Sequence, residues 1–392
     1  MVDVLVIGGG LAGWRAAEAA ADAGATVGLV ARGAGNSPDI HALNVPVGPG
    51  DSVERFAADT LASGRGACDP ALVGTLARES VALAGEFPWD RNPDGSLAML
   101  QPLGCSVPRC VSIGHHIGAW ALANIRRTLA GRVEATRDRV VALSFGDGAF
   151  SAKLQDSGAT VRARAVVLAT GGWCGKYAFS DNPPDLQGDG IEMARALGAA
   201  LRDMDAIQYE PTVALAPSAV RGIPVITTML FEGATFRNRD GAEFLQDIHA
   251  NKDSISRAIF AEIEAGRGVP AGQGGDGGDA PQSGVWFDAT GVPAEVLRTR
   301  YADTVNRYGA AGVDITREPM LVAPAPHTSL GGVAVDSRCR VLRPDGTPIQ
   351  GPFAAGEVTG GVHGLNRIGG NAGTEVLVFG RIAGREAAAY VA

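Results

Sequence analysis

The chain opens on Val2 to Ile7, a run of β-branched and leucine side chains broken only by Asp3. Such a run predicts a parallel strand covered on both faces. After GGGLAG the period changes. WRAAEAAADAG carries an alanine-rich helical pattern that stops at Gly24, and TVGLVAR returns to the pattern of a strand. Strand, glycine turn, helix and strand predict a βαβ opening.

Between about 37 and 138 a polar loop gives way to helical stretches through LVGTLARESVALAGEF and GAWALANIRRTLAG. From Arg139 the pattern reads as short strands joined by turns, closed by a buried strand from Ala165 to Thr170 that enters Gly171 and Gly172. A helix is expected to open at Gly188-Asp189-Gly190. From about Pro211 to Pro326 the texture shifts: a helix in DSISRAIFAEIEAG, a glycine-rich stretch GVPAGQGGDGGDAPQSG expected to be mobile, and a helix around AEVLRTRYADTVNRYG. This reads as an inserted second domain. The chain then returns through HTSLGGVAVDSRCRVL to a strand in PFAAGEVTGGV, and the apolar helix NAGTEVLVFGRIAGREAAAYV is expected to pack back on the sheet.

Composition narrows the classes. With 46% hydrophobic and 19% charged residues, 392 residues suit a soluble two-domain enzyme. Its 55 glycines exceed the average usage of roughly 7% and gather in short motifs, which argues for ligand-bound turns. A formal charge of −8 disfavours a broad nucleic-acid footprint. No leader pattern and no apolar run of about 20 residues is present, so a cytoplasmic protein without a transmembrane segment is expected. Five scattered cysteines without CxxC spacing argue against zinc or iron–sulfur ligation, and no metal is expected.

Gly8, Gly10 and Gly13 fit GxGxxG between strand and helix. Their roles are a tight turn, backbone access to a pyrophosphate and close helix packing, with Leu11 and Ala12 in the helical turn that faces the phosphates. The acid that usually ends the second strand is absent. Ala31 and Arg32 stand there, and the contact to the adenosine ribose must come from elsewhere.

Taken in order, GGGLAG at 8–13, LATGG at 168–172, GDG at 188–190, HTSLGG at 327–332, AAGE at 354–357 and HGLNRIGGNA at 363–372 resemble the flavoprotein family of fumarate reductase, the succinate dehydrogenase flavoprotein and L-aspartate oxidase. The resemblance implies an α/β fold: a Rossmann-type FAD-binding domain in two segments, 1–210 and 327–392, with an α+β capping domain at 211–326. The helical C-terminal domain usual in those relatives is not expected. Implied cofactor contacts include Thr170, Gly171, Gly172, Asp189, Arg32 and Glu357, the last to ribityl or ribose hydroxyls. Asn371, Ala372, Gly373 and Thr374 would face the isoalloxazine pyrimidine edge, where a helix N-terminus offers unsatisfied N–H groups. His41 lies where some relatives attach FAD covalently, but the register matches Pro38 better, so FAD is expected to be noncovalent.

Family members move hydride to or from flavin N5 while a side chain moves a proton. By resemblance Arg367 and His327 match positions that clamp a substrate carboxylate, a role suited to the guanidinium fork. Two positions depart. Where the family commonly reads QFHPT, this chain has Gln208-Tyr209-Glu210-Pro211-Thr212, and where an arginine opens RDVVSRA, this chain has Lys252. Lys252 can serve as acid or base, and Glu210 disfavours a plain C4 dicarboxylate. A substrate with one carboxylate and one amino or other cationic group fits better. A Glu210–Lys252 ion pair that only holds the cap is the plainer alternative. Arg257 is expected to pair with Asp253, and His115 and His116 are read as structural.

The expected function is an FAD-dependent oxidoreductase acting on a small carboxylate-bearing substrate, with O2, a carrier protein or a quinone as acceptor. The alternatives are an amino-acid oxidase or desaturase of a specialised pathway, and an electron-transfer or scaffold component with an altered site.

Overall fold

The computed structural model describes residues 1–114, 116–248, 251–272 and 281–392. The chain forms two compact units. The first comprises Met1–Trp173, Asp185–Ile207 and Ser329–Ala392; the second comprises Cys174–Pro184 and Gln208–Thr328. The second unit therefore takes in Glu210 and His327 and a short stretch beginning at Cys174.

The first unit is built on a sheet in the order Arg340–Leu342, Pro348–Ala354, Thr160–Leu168, Val2–Ile7, Val27–Val30 and Val133–Thr136. Val2–Ile7 is parallel to both neighbours, pairing Val4 with Val27 and with Ala165. Its residues Val4 to Ile7 are buried, as an almost unbroken apolar run requires of a central parallel strand. The hairpin Val140–Gly146 and Ala149–Leu154 joins antiparallel to the first half of Thr160–Leu168, while the second half of that strand pairs parallel with Pro348–Ala354. Helix Leu11–Asp22 packs against the 21-residue helix Asn371–Val391, which also lies against the sheet. Gly384 is needed at that crossing, because a Cβ there would fall 2.0 Å from the carbonyl of Ala16.

The second unit has a sheet in the order Ile207–Ala216, Met320–Ser329, Ser283–Asp288 and Thr235–Arg237, with Val269–Pro270 on Ser283–Asp288. Phe236, Phe287, Ile255, Ile259 and Tyr308 lie in its core. Helix Lys252–Glu262 is capped by the Asn251 side chain, which accepts from the Ser254 amide, and Arg257 pairs with Asp253 at 2.9 Å.

Helix Val53–Ser63 occupies part of what reads as a polar loop in the sequence; its Ser52 cap accepts from the Arg55 amide. The stretch around AEVLRTRYADTVNRYG divides into Ala294–Arg300 and Ala302–Ala310. His115, and residues 273–280 of the glycine-rich segment, lie outside the described residues.

Candidate functional site

In the first unit the glycine turn closes against the neighbouring strand. Gly8 has φ +126°, and a Cβ on it would lie 2.0 Å from the Ala169 carbonyl oxygen, so only glycine serves here. Ser37 Oγ accepts from the Leu11 amide at 2.8 Å, fixing the first turn of Leu11–Asp22 in which Ala12 and Gly13 follow. Beside it is a cleft of about 160 Å³ lined by Gly9, Ala31, Arg32, Arg126, Thr136 and Arg137, at the carboxyl ends of three parallel strands, where nucleotides bind in such sheets. No carboxylate lines it. Arg32 instead pairs with Asp156 at 2.6 Å. Arg126 lies 5.3 Å from the Trp14 ring centroid and donates to the Gly9 carbonyl.

At the second glycine turn, a Cβ on Gly172 would meet Ser329 Oγ at 1.9 Å and Glu357 Oε1 at 2.4 Å. Glu357 Oε1 accepts from both the amide and the hydroxyl of Ser329 at 3.0 Å, so strand end and AAGE turn meet in one polar knot. Thr170 Oγ1 accepts from the Gly190 amide at 3.2 Å. Asp189 is engaged by Arg139 through two contacts of 2.6 and 2.5 Å, which gives its carboxylate a partner on the hairpin.

The N-terminus of helix Asn371–Val391 is held by buried amides. Asn44 Nδ2 donates to Asn371 Oδ1 and to the Gly369 carbonyl, each at 2.7 Å. Asn371 Nδ2 reaches Thr60 Oγ1 at 3.1 Å, and Thr374 Oγ1 donates to the Asn44 carbonyl at 2.8 Å. Asn44 Oδ1 is buried without a hydrogen-bond partner among the described residues. Ser63 Oγ donates to the Asn366 carbonyl and accepts from Asn366 Nδ2, each at 2.9 Å, and His363 Nε2 lies 2.9 Å from Glu375 Oε2, both residues buried. Arg367, half-buried, thus leaves a loop pinned at both ends. Glycine turns that a Cβ would fill, a cleft at the carboxyl ends of the parallel strands and an orphaned amide oxygen at a helix N-terminus together fit FAD. The exposed rings of His41 and His116 lie 5.0 Å apart.

The second unit holds a polar cluster of its own. Lys252 Nζ donates to Glu210 Oε2. Glu210 Oε1 accepts from Thr212 at 3.3 Å and Thr227 at 3.2 Å. Burial alone pushes the Glu210 carboxyl up, but Lys252, with His327 and the hydrogen bonds, outweighs it and holds the group below the usual carboxylate range. His327 Nδ1 lies 2.7 Å from Asp181 Oδ2. No disulfide joins any of the five cysteines, and among the described residues no group of His, Cys, Asp or Glu could hold a metal ion.

The first unit's sheet and glycine turns define a dinucleotide-binding flavoprotein. The family described as FAD binding domain matches residues 3–372. The chain is 32% identical to one component of the fumarate reductase (CoM/CoB) of Methanothermobacter marburgensis, over 98% of this chain and 72% of that protein. It is also 32% identical to L-aspartate oxidase of Caulobacter vibrioides, over 98% of this chain and 76% of that protein. A solved quinol fumarate reductase FrdA from E. coli superposes with a TM-score of 0.86 at 26% identity, covering 100% of this chain and 70% of that one. The chain belongs to the FAD-dependent oxidoreductases of the fumarate reductase and L-aspartate oxidase family.

Sequence motifs named the glycines and Glu357 but missed Ser37, Asn44, Thr60, Ser63, Ser329 and Asp181. Ser329 was within reach, since it sits inside HTSLGG. The others are scattered polar residues on a short 3-10 turn, a two-residue strand, a loop and a helix whose cap is Ser52.

Proposed function

We propose that the protein moves hydride between noncovalently held FAD and a small carboxylate-bearing substrate, with Lys252 as proton donor or acceptor, Arg367 and His327 as substrate-binding groups and Glu210 as the partner of Lys252. When bound, FAD supplies the two-electron acceptor or donor. The Arg367 fork suits a carboxylate, and the bent loop around it is fixed by Asn366, Ser63 and Asn371.

The observation that carries the reading is the setting of Lys252. It stands at the first position of its helix, the end at which the helix dipole disfavours a cation. Helix stability therefore does not explain it, and Glu210 offsets its charge from a buried position. The Glu210 side chain is 7% exposed while that of Lys252 keeps 38%, so the ammonium faces outward with its counter-ion behind it. A substrate combining a carboxylate with an amino or other cationic group agrees with this balance, because Glu210 and Asp181 give the second unit buried negative charge. Five cysteines with no disulfide among them agree with a cytoplasmic setting. Among the described residues no helix is long and apolar enough to cross a membrane.

Anaerobic mixing of the FAD-loaded protein with mono- and dicarboxylates, with and without an amino group, tests this through the flavin absorbance. Bleaching by a member of the set, lost in Lys252→Ala, is expected. A second reading, an electron-transfer or scaffold component, is favoured by the completeness of the Glu210 bonding, which would equally serve only to hold the unit together. Lys252→Ala behaving as wild type would select it.

A further inference from the structure

His327 is fixed within the second unit by a three-residue stretch. Ser180 Oγ donates to the Pro326 carbonyl at 2.8 Å, and Asn182 Nδ2 donates to the His327 carbonyl at 2.9 Å. Between them Asp181 directs Oδ2 at His327 Nδ1, 2.7 Å away, while its Oδ1 accepts from Asn182 Nδ2 at 2.8 Å. The backbone contacts locate the histidine, and the carboxylate orients its ring.

The chemistry follows from the donor inventory. A carboxylate only accepts hydrogen bonds, so the hydrogen in this contact belongs to Nδ1. That leaves Nε2 as the ring nitrogen without a hydrogen-bond partner among the described residues. Asp181 is 5% exposed at its side chain and the imidazole 28%, so the acid is sealed and the ring keeps an open edge. Among the described residues, Asp181 and Glu210 are charged groups that act on the ring inside this unit, the latter paired with Lys252.

We propose that Asp181 is a positioning residue that holds His327 as the Nδ1–H tautomer and presents Nε2 to the substrate. This rests on His327 being a substrate-facing group. With a neutral ring, Nε2 is an acceptor and suits an ammonium or hydroxyl of the substrate; with a charged ring it becomes a donor to a carboxylate, while Asp181 balances the imidazolium in place. Neither case needs the ring to turn.

The test uses the full-length, FAD-loaded protein labelled with 15N at its histidines, with His327 assigned from the spectrum of His327→Gln. The expected wild-type signal is that of the Nδ1–H tautomer whenever the ring is neutral. In Asp181→Asn the amide can donate to Nδ1, and His327 should shift towards the Nε2–H tautomer with flavin absorbance and Tm retained. If Asp181→Asn does not fold, Asp181→Thr serves, with loss of the pure Nδ1–H state expected. An Nε2–H ring in the wild type, or a tautomer unchanged by either variant, overturns the proposal. No substrate enters this readout, so its failure is separate from failure of the carboxylate screen. With a substrate in hand, Asp181→Asn should lower kcat by about 10²- to 10⁴-fold and displace the pH profile of flavin reduction. A residue that only braced the fold would lower Tm and leave that profile in place, which also overturns the proposal.

Discussion

Lys252 reaches from the first position of its helix to Glu210, a carboxylate sealed from solvent and held below its ordinary range by that contact. Removing the ammonium takes away the largest of the groups that oppose burial, leaving His327 and the Thr227 hydrogen bond. Lys252→Ala should reduce turnover by about 10²- to 10⁴-fold while flavin content stays at the wild-type level, measured by stopped-flow flavin reduction and by the ratio of flavin to protein absorbance.

The same pair sets a pH dependence. A carboxyl lowered on folding stabilises the protein above its ordinary value of 4.5 and loses that contribution as pH falls through the folded value. In Lys252→Ala the sign reverses, since burial now favours the protonated acid. Chemical denaturation should show the variant destabilised by about 1–3 kcal/mol near neutral pH, with the difference from wild type shrinking towards pH 4.

A second acid window belongs to Glu262, held at about 2 by hydrogen bonds from Arg267, which outweigh burial, and from Asn238. Its stabilising contribution is complete above 4.5 and fades between there and about 2. Arg267→Gln should therefore unfold more easily than wild type at pH 6 and match it near pH 2, followed by circular dichroism during denaturant titration.

Gly172→Ala places a methyl group where Ser329 Oγ and Glu357 Oε1 now stand. Because both contacts lie where the first and last segments of the first unit meet, the variant should purify with much less FAD than wild type. Flavin released on acid precipitation gives the measure, and in the wild type that release should be complete, as noncovalent binding requires.

Arg367→Lys keeps the charge but loses the planar fork. For the substrate found in the carboxylate screen, KM should rise by about 10- to 100-fold with a smaller change in kcat, the loss of one bidentate clamp.

Much of the first unit was legible because each strand-to-turn step carries a local cause. Val2–Ile7 reads as a buried strand, and Gly8 is demanded by the approach of Ala169. Helix Val53–Ser63 was not legible: its apolar face is thin, with Phe56 and Thr60 as its buried residues, so its polar composition read as loop. Motif register singled out Glu210, Lys252, His327 and Arg367, and the Glu210–Lys252 pair weighed from the sequence is formed. Asp181 was not legible, because an acid between serine and asparagine in SDNPP reads as turn chemistry, and only the folded chain brings its carboxylate to an imidazole 146 residues away in sequence.

The strand Thr160–Leu168 lies between Val2–Ile7 and Pro348–Ala354, partners drawn from opposite ends of the chain. Closing such distant pairings is slow, and a ribosome delivers them in order. The first βαβ unit can assemble early, but the sheet is complete only after Pro348–Ala354 has emerged, and Asn371 can meet Asn44 only later still. Capture of the flavin is therefore a late event in the life of the nascent chain, and a translation product stalled before Asn371 would leave the ribosome without its colour.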